Sequence, residues 1–162
     1  MRSILSIDIE TCTGCRNCEL ACSIAHNKTF NPARSCIQVI KDEKKNLVIP
    51  VVCLHCKQAL CEDACPTGAI KKNDKGILVV SNDICVGCGN CVTECIYSGI
   101  AIDPVTRKAI KCDLCYGDPE CIKACDYDAI DLFKADEIGL SKRANGSKLA
   151  RSIVFAETRE VE

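Results

Sequence analysis

Tryptophan is absent from this chain, methionine occurs once, and aromatic residues make up only 4% of it. No uncharged apolar stretch approaches the ~18 residues needed to cross a bilayer; the longest, Leu47 to Leu54, stops at His55. This excludes a membrane span and points to a soluble protein. Neither sign of charge is in excess: 21 basic and 22 acidic residues leave a formal net charge of −1, which gives no basis for nucleic-acid binding. Histidine is confined to His26 and His55. No phosphate-cradling glycine loop and no Ser/His/Asp set stands out, so catalysis by this chain alone is not expected. Apolar residues total 48%, but that figure counts cysteine. Without it, conventional core residues are about 38%, below the usual range. So thin a core needs support, which small domains commonly take from disulfides or metals.

What is abundant is cysteine, 17 in 162 residues. In a short secreted chain that density reads as a disulfide scaffold. Here the count is odd, and the N-terminal run Met1-Arg-Ser-Ile-Leu-Ser-Ile-Asp-Ile-Glu10 is broken at Asp8. It lacks an adequate hydrophobic segment, a small-residue cleavage site and a twin arginine, so export on its own signal is not expected. The cysteines are also spaced too regularly for a disulfide framework. Four blocks repeat: Cys12-x2-Cys15-x2-Cys18-x3-Cys22, Cys53-x2-Cys56-x4-Cys61-x3-Cys65, Cys85-x2-Cys88-x2-Cys91-x3-Cys95, and Cys112-x2-Cys115-x5-Cys121-x3-Cys125. The first and third share an inner C-x-G-C-x-N-C, with Gly14 and Asn17 matched by Gly87 and Asn90. Internal repetition of this kind sets the architecture.

The spacing has a chemical reason. A cubane [4Fe–4S] cluster has four iron corners, and each needs a thiolate. A tight loop supplies three, while the fourth cysteine, one helical turn further on, points away and completes a different cluster. Four-thiolate zinc sites instead take their ligands as two pairs, so iron–sulfur clusters are the reading the blocks favour. Four oxidised cubanes would add about −8 to the net charge, making the folded protein clearly acidic.

Between the blocks the pattern predicts short elements. Ser3 to Ile9 leads into block one as a strand. Ala69-Ile70 and Ile77 to Val80, joined by Lys71-Lys-Asn-Asp-Lys-Gly76, read as a hairpin. Glu19-Leu-Ala-Cys22, Val92-Thr-Glu-Cys95 and Ile122-Lys-Ala-Cys125 read as single helical turns. Cys36, outside the blocks, falls in a strand Ser35 to Val39 and reads as a small buried hydrophobe. His55 stands inside a ligand loop. There it either hydrogen-bonds a sulfide and makes a potential pH-sensitive or is simply an exposed loop residue. Lys71, Lys72, Lys75, Arg107 and Lys108 fall on predicted turns, where a few would steer docking on an acidic partner.

Residues 1 to about 133 resemble the four-cluster ferredoxin-like subunits of anaerobic oxidoreductases. These accompany molybdenum or tungsten pterin enzymes, hydrogenases and carbon monoxide dehydrogenases. Cys12-Thr-Gly-Cys-Arg-Asn-Cys-Glu-Leu-Ala-Cys22, Cys53-x-His-Cys56 and Lys111-Cys-Asp-Leu-Cys115 carry the resemblance. Proline follows only Cys65; Ser23, Ile96 and Asp126 stand in that place elsewhere. The resemblance implies four [4Fe–4S] clusters. Their ligand sets are Cys12, Cys15, Cys18 and Cys125; Cys53, Cys56, Cys61 and Cys95; Cys85, Cys88, Cys91 and Cys65; and Cys112, Cys115, Cys121 and Cys22. Some relatives replace a block-three cysteine and carry a [3Fe–4S] centre, but Cys91 is present here. The resemblance also implies an α+β fold of tandem ferredoxin-like units. An inner unit over 50–103 is inserted into an outer one made of 1–49 and 104–133. Residues 134–162 carry no cysteine and fall outside the repeat; Ser152-Ile-Val-Phe155 there reads as a strand, and the stretch as an extension suited to partner contact.

The function expected is a cytoplasmic, non-catalytic electron-transfer subunit. It would relay electrons between a catalytic partner, foremost a tungsten or molybdenum pterin enzyme of the aldehyde oxidoreductase type, and a second redox protein or flavin subunit. The alternatives are a partnership with hydrogenase or carbon monoxide dehydrogenase, a freely diffusing polyferredoxin, and a purely structural metal-bound module.

Overall fold

The computed structural model describes residues 3–44 and 47–134; beyond Lys134, the expected C-terminal extension and its Ser152 to Phe155 strand lie outside the described residues. The strands are β1 (Ser3–Ile7), β2 (Ile37–Asp42), β3 (Leu47–Val52), β4 (Ile70–Lys72), β5 (Leu78–Val80), β6 (Ile100–Ile102), β7 (Ala109–Lys111) and β8 (Ile130–Lys134). The helices are α1 (Asn17–Asn27), α2 (Leu60–Asp63), α3 (Asn90–Thr93) and α4 (Glu120–Lys123), with 3₁₀ turns at Pro32–Arg34 and Leu114–Gly117. The expected mixture of short helices and strands is present. Among the described residues every sheet is a two-stranded antiparallel ribbon: β1 with β8, β2 with β3, β4 with β5, and β6 with β7. The β1–β8 register, Ser3 opposite Lys134 through Ile7 opposite Ile130, joins the first and last described strands.

The expected hairpin forms as β4–β5, with Ile70 opposite Val80. Lys71 and Lys72 therefore lie in a strand rather than in the turn. Strand β2 begins at Ile37, one residue after Cys36. Pairing also runs across residues 49/50, through β3, and across 103/104, through the β6–β7 ribbon.

The helical turns in blocks three and four are single turns, α3 and α4, lying two residues earlier than the sequence pattern placed them. The helix that begins in block one is instead 11 residues long and runs on past Cys22. The difference lies three residues past each fourth cysteine. Gly68, Ser98 and Asp128 adopt left-handed backbones, with φ of 64°, 52° and 51°, and keep the chain from resuming a helix after α2, α3 and α4 have ended two residues before each fourth cysteine. After Cys22 the chain continues through helix-compatible Ser23-Ile-Ala-His-Asn27 until Lys28 turns left-handed and its N–H closes on the Ile24 carbonyl. The buried side chains Cys18, Glu19, Cys22 and Ser23 form one stripe of α1. That stripe faces α4 and β2.

Cys65, Cys95 and Cys125 recur every 30 residues, each followed five residues later by Ile70, Ile100 or Ile130. These isoleucines are buried and open β4, β6 and β8. One core gathers Leu5, Ile37, Val52, Leu114 and Ile130 around cysteines of blocks one, two and four. A second gathers Ile70, Leu78, Ile100 and Ala109 around cysteines of blocks two and three.

A buried ion pair ties the turn at Pro32–Arg34 to the end of β6. Arg34 donates from Nε and its terminal nitrogen to both Asp103 oxygens, at 2.9 and 2.8 Å. The same carboxylate accepts from Thr106 Oγ1 at 2.7 Å and the Val105 N–H at 3.1 Å. The Arg34 hydrogen bond, outweighing burial, holds the Asp103 carboxyl well below its usual range. A depressed carboxylate contributes its full stabilisation above the unfolded value of about 4 and loses it progressively as pH falls from there through the depressed folded value. Asp103→Asn is expected to lower the denaturation midpoint at neutral pH. It should also flatten the loss of stability below about pH 4 relative to wild type, as measured by denaturant titration across pH.

Candidate metal centre

The first two cysteines of each block enclose a C-x-x-C loop, and the residue before the second is left-handed in all four. The φ values are 67° at Gly14, 46° at His55, 68° at Gly87 and 59° at Leu114. This conformation curls the loop so that backbone N–H groups turn towards sulfur. His55 N–H reaches Cys53 Sγ and Leu114 N–H reaches Cys112 Sγ, both at 3.4 Å. In non-glycine residues the left-handed form costs roughly 1–2 kcal/mol, and both His55 and Leu114 offset it by full burial.

The fourth cysteines are held by a second recurring contact. The Ala69, Gly99 and Ala129 N–H groups donate to Cys65, Cys95 and Cys125 Sγ at 3.2, 3.3 and 3.3 Å. In block one the equivalent N–H lies inside α1, so Cys22 Sγ instead accepts from the Cys36 N–H at 3.3 Å.

These loops converge in space. A cavity of about 360 Å³, partly open to solvent, is lined by Cys12, Cys15, Cys18 and Cys125. A second, of about 310 Å³, is lined by Cys65, Cys85, Cys88 and Cys91. A third, of about 300 Å³, is lined by Cys22, Cys112, Cys115 and Cys121, with Cys36, His26 and Asp113. Cys53, Cys56 and Cys95 lie close enough to Cys61 for their charges to act on its sulfur. Each group draws on two blocks. Neighbouring groups also feel one another. Cys18 acts on Cys121, and Cys53 acts on Cys112. Packing of α2 on α3 brings the two inner groups side by side. Cys15 and Cys88 are the exposed cysteines.

The donor chemistry fits a thiolate-ligated metal cluster. Burial pushes the Cys18 and Cys121 thiols up to about 12 and Cys61 to about 11, and it raises Cys112 as well. Such thiols stay protonated unless a cation compensates their charge, so metal binding must expel protons. Three similar thiol-lined cavities, with N–H groups already directed at sulfur, match what a cubane needs of its surroundings.

His55 is completely buried, which removes the exposed-loop reading. Its Nδ1 accepts the Leu78 N–H at 3.2 Å, fixing the ring to β5 and assigning its proton to Nε2. His26, which the sequence left without a role, bridges Asp113 Oδ1 through Nε2 and the Cys22 carbonyl through Nδ1, each at 3.0 Å. The Asp113 bond, with Cys22 next, raises His26 to about 11. Cys36 packs at the rim of the Cys22 cavity. Contact with Cys22 and then burial raise its thiol, while the same contact lowers Cys22. Glu19 is buried and accepts the Val39 N–H at 2.6 Å, clamping α1 to β2. Lys72 donates to the Lys57 carbonyl at 2.8 Å, and Lys108 to that of Asn82. Two of the five basic residues from which a few docking contacts were expected thus hold backbone carbonyls of the fold itself.

Residues 44–132 match the 4Fe-4S dicluster domain and residues 9–25 a 4Fe-4S binding domain. The chain belongs to the 4Fe–4S dicluster family and is an iron–sulfur protein of the [4Fe–4S] type. Among curated relatives, a tetrathionate reductase subunit from Archaeoglobus fulgidus is 32% identical over 111 residues, 68% of this chain and 54% of the relative. The arsenate respiratory reductase iron–sulfur subunit ArrB of a Shewanella species is 34% identical over 110 residues, 65% and 47% of the two chains. Electron transport protein HydN of Escherichia coli is 36% identical over 121 residues, 67% and 66%. The chain thus spans about half the length of the two reductase subunits. Among solved structures, the active site complex BamBC of benzoyl coenzyme A reductase with benzoyl-CoA matches 98% of this chain and 97% of that one. The TM-score is 0.50 at 24% identity, a likeness of fold.

Two glycines are required by close approach. A Cβ on Gly87 would lie 2.0 Å from the Arg107 carbonyl oxygen, and one on Gly99 would lie 2.6 Å from Cys53 Cα. Gly87→Ala therefore combines a left-handed alanine with a backbone collision. It is expected to cost about 2–5 kcal/mol, read as a lower denaturant midpoint of the anaerobic holoprotein.

Proposed function

We propose that this chain is an electron-transfer subunit holding four [4Fe–4S] clusters, one on each of the cysteine sets expected from the sequence. The clusters, once bound, take up and release one electron at a time. The protein's own part is to hold them in line, shield them from water and offer N–H groups to their thiolates. The observation that carries this reading is the order of the sulfur groups. The set containing exposed Cys15 neighbours that of Cys112, which neighbours that of Cys53, which lies beside the set containing exposed Cys88. That is a path with two accessible ends and a buried middle. It suits a relay between a catalytic subunit at one end and a second redox protein or flavin subunit at the other.

The names of the relatives, subunits of reductases and an electron transport protein, favour a reductase as the catalytic partner. They lend nothing to the aldehyde oxidoreductase type expected from the sequence. The same reading takes residues 50–103 as an inner ferredoxin-like unit set into an outer one, 1–49 with 104–133, and takes the cytoplasm as its location. Among the described residues, no helix is long and apolar enough to cross a membrane.

Elemental analysis of the complex purified anaerobically from its native host, through a tag on this chain, tests the reading. About sixteen irons per copy, beyond those of the partner, are expected, together with a companion subunit that survives gel filtration. Stoichiometric tungsten or molybdenum would identify a pterin enzyme, and nickel a hydrogenase or carbon monoxide dehydrogenase. Half that iron would sink the four-cluster reading. Full iron without a companion would make the protein a diffusing ferredoxin.

A further inference from the structure

Lys111 is the last residue of β7 and only 5% exposed. Its Nζ donates to the Leu78 carbonyl at 2.6 Å and the Cys112 carbonyl at 2.9 Å. Lysine is almost never buried so fully without an acid partner. The other interior charges have partners: Asp103 binds Arg34, His26 binds Asp113, and Glu19 takes the Val39 N–H with Arg16 nearby. Among the described residues no carboxylate lies within 4.0 Å of Lys111 Nζ. Two carbonyl dipoles alone are poor compensation for a buried ammonium.

The compensation has a second source in the same place. The Lys111 charge acts on Cys112 of one cysteine set and on Cys61 of the next. Those are the two middle sets, joined where Cys53 meets Cys112. Each bound cluster would bring about −2 to that spot, and each added electron makes it more negative.

We propose that Lys111 is the shared counter-charge of the two middle clusters, raising both of their reduction potentials relative to the terminal pair. This rests on the four-cluster reading above. A buried positive charge stabilises the state that has gained an electron, and low dielectric keeps that effect from being screened. With the middle raised, an electron arriving at either exposed end moves inward readily, and the interior of the path stays reduced under turnover.

The test is an anaerobic potentiometric titration of the holoprotein with dithionite as electron donor, followed by electron paramagnetic resonance. Wild type is measured first. Fewer than four one-electron steps there would count against the four-cluster reading rather than against Lys111. In Lys111→Met, two of the four steps should become about tenfold harder to reduce, about 59 mV for one electron, with the other two unmoved. Lys111→Arg, which keeps the charge, should stay near wild type. Unchanged potentials in Lys111→Met, or an equal shift of all four, overturns the proposal. If Lys111→Met fails to retain iron, Lys111→Gln takes its place. A fall in Gln that is absent in Arg supports the proposal, and equal potentials in the two overturn it. Iron lost from both neutral variants but kept in Arg also supports it. Iron lost from all three overturns it, because shape rather than charge would then be what the site requires.

Discussion

Thiolates repel one another, and buried thiols resist ionising at all, so cysteines this numerous converge only around cations that neutralise them. Everything else in this protein follows from that constraint. The apolar interior is split into two modest cores, and each sheet is a ribbon of two strands. Neither is a structure that stands independently in water. With metal in place, the loops are fixed from within, and short ribbons suffice to hold loop to loop. Folding and metal binding are then one process, and the fold's stability is inseparable from its cofactors.

The same constraint explains the backbone. Four C-x-x-C loops curl through a left-handed residue because a straight loop would aim its N–H groups away from sulfur. Three fourth cysteines end a helical turn and receive an N–H from four residues on, just as a strand begins. Block one breaks the pattern, and the break has a consequence. With the helix running on to Asn27, Cys22 takes its hydrogen bond from Cys36 and lies against His26, itself tied to Asp113. The Cys22 cavity is therefore lined by an imidazole and a carboxylate, His26 and Asp113, as well as by its thiols. Lys111, one residue before Cys112, adds a charge with no carboxylate within 4.0 Å among the described residues. Hydrogen bonds and charge near the sulfurs are the levers that separate the potentials of chemically identical clusters.

Much of this was legible in the sequence. The block spacing singled out the cysteines that line the cavities and pointed to iron–sulfur chemistry, because a cubane demands three thiolates from one short loop. The β4–β5 hairpin and the turns at α3 and α4 followed from local pattern. The 30-residue recurrence of cysteine and isoleucine was present in the sequence too, as was the inward phase of β7. Alternation from buried Ala109 places Lys111 on the same face, the one signal that could have marked it as interior. The length of α1 was harder to see, since nothing in Ser23 to Asn27 announces whether a helix stops or continues. His55 and Leu114 hold conformations usually reserved for glycine, and only their burial makes that tolerable.

By itself, then, the sequence determined the chemistry: which cysteines are suited to metal, and in what groups along the chain. Local spacing dictates these, and local spacing is what a sequence records. The tertiary structure alone decided which blocks meet, that Arg34 finds Asp103, that His55 braces β5, and that a lysine next to a block cysteine is turned inward between two sulfur groups. Those are contacts between residues far apart in the chain. They arise from how helices α1 with α4 and α2 with α3 pack, and no periodicity within a single segment encodes the partner.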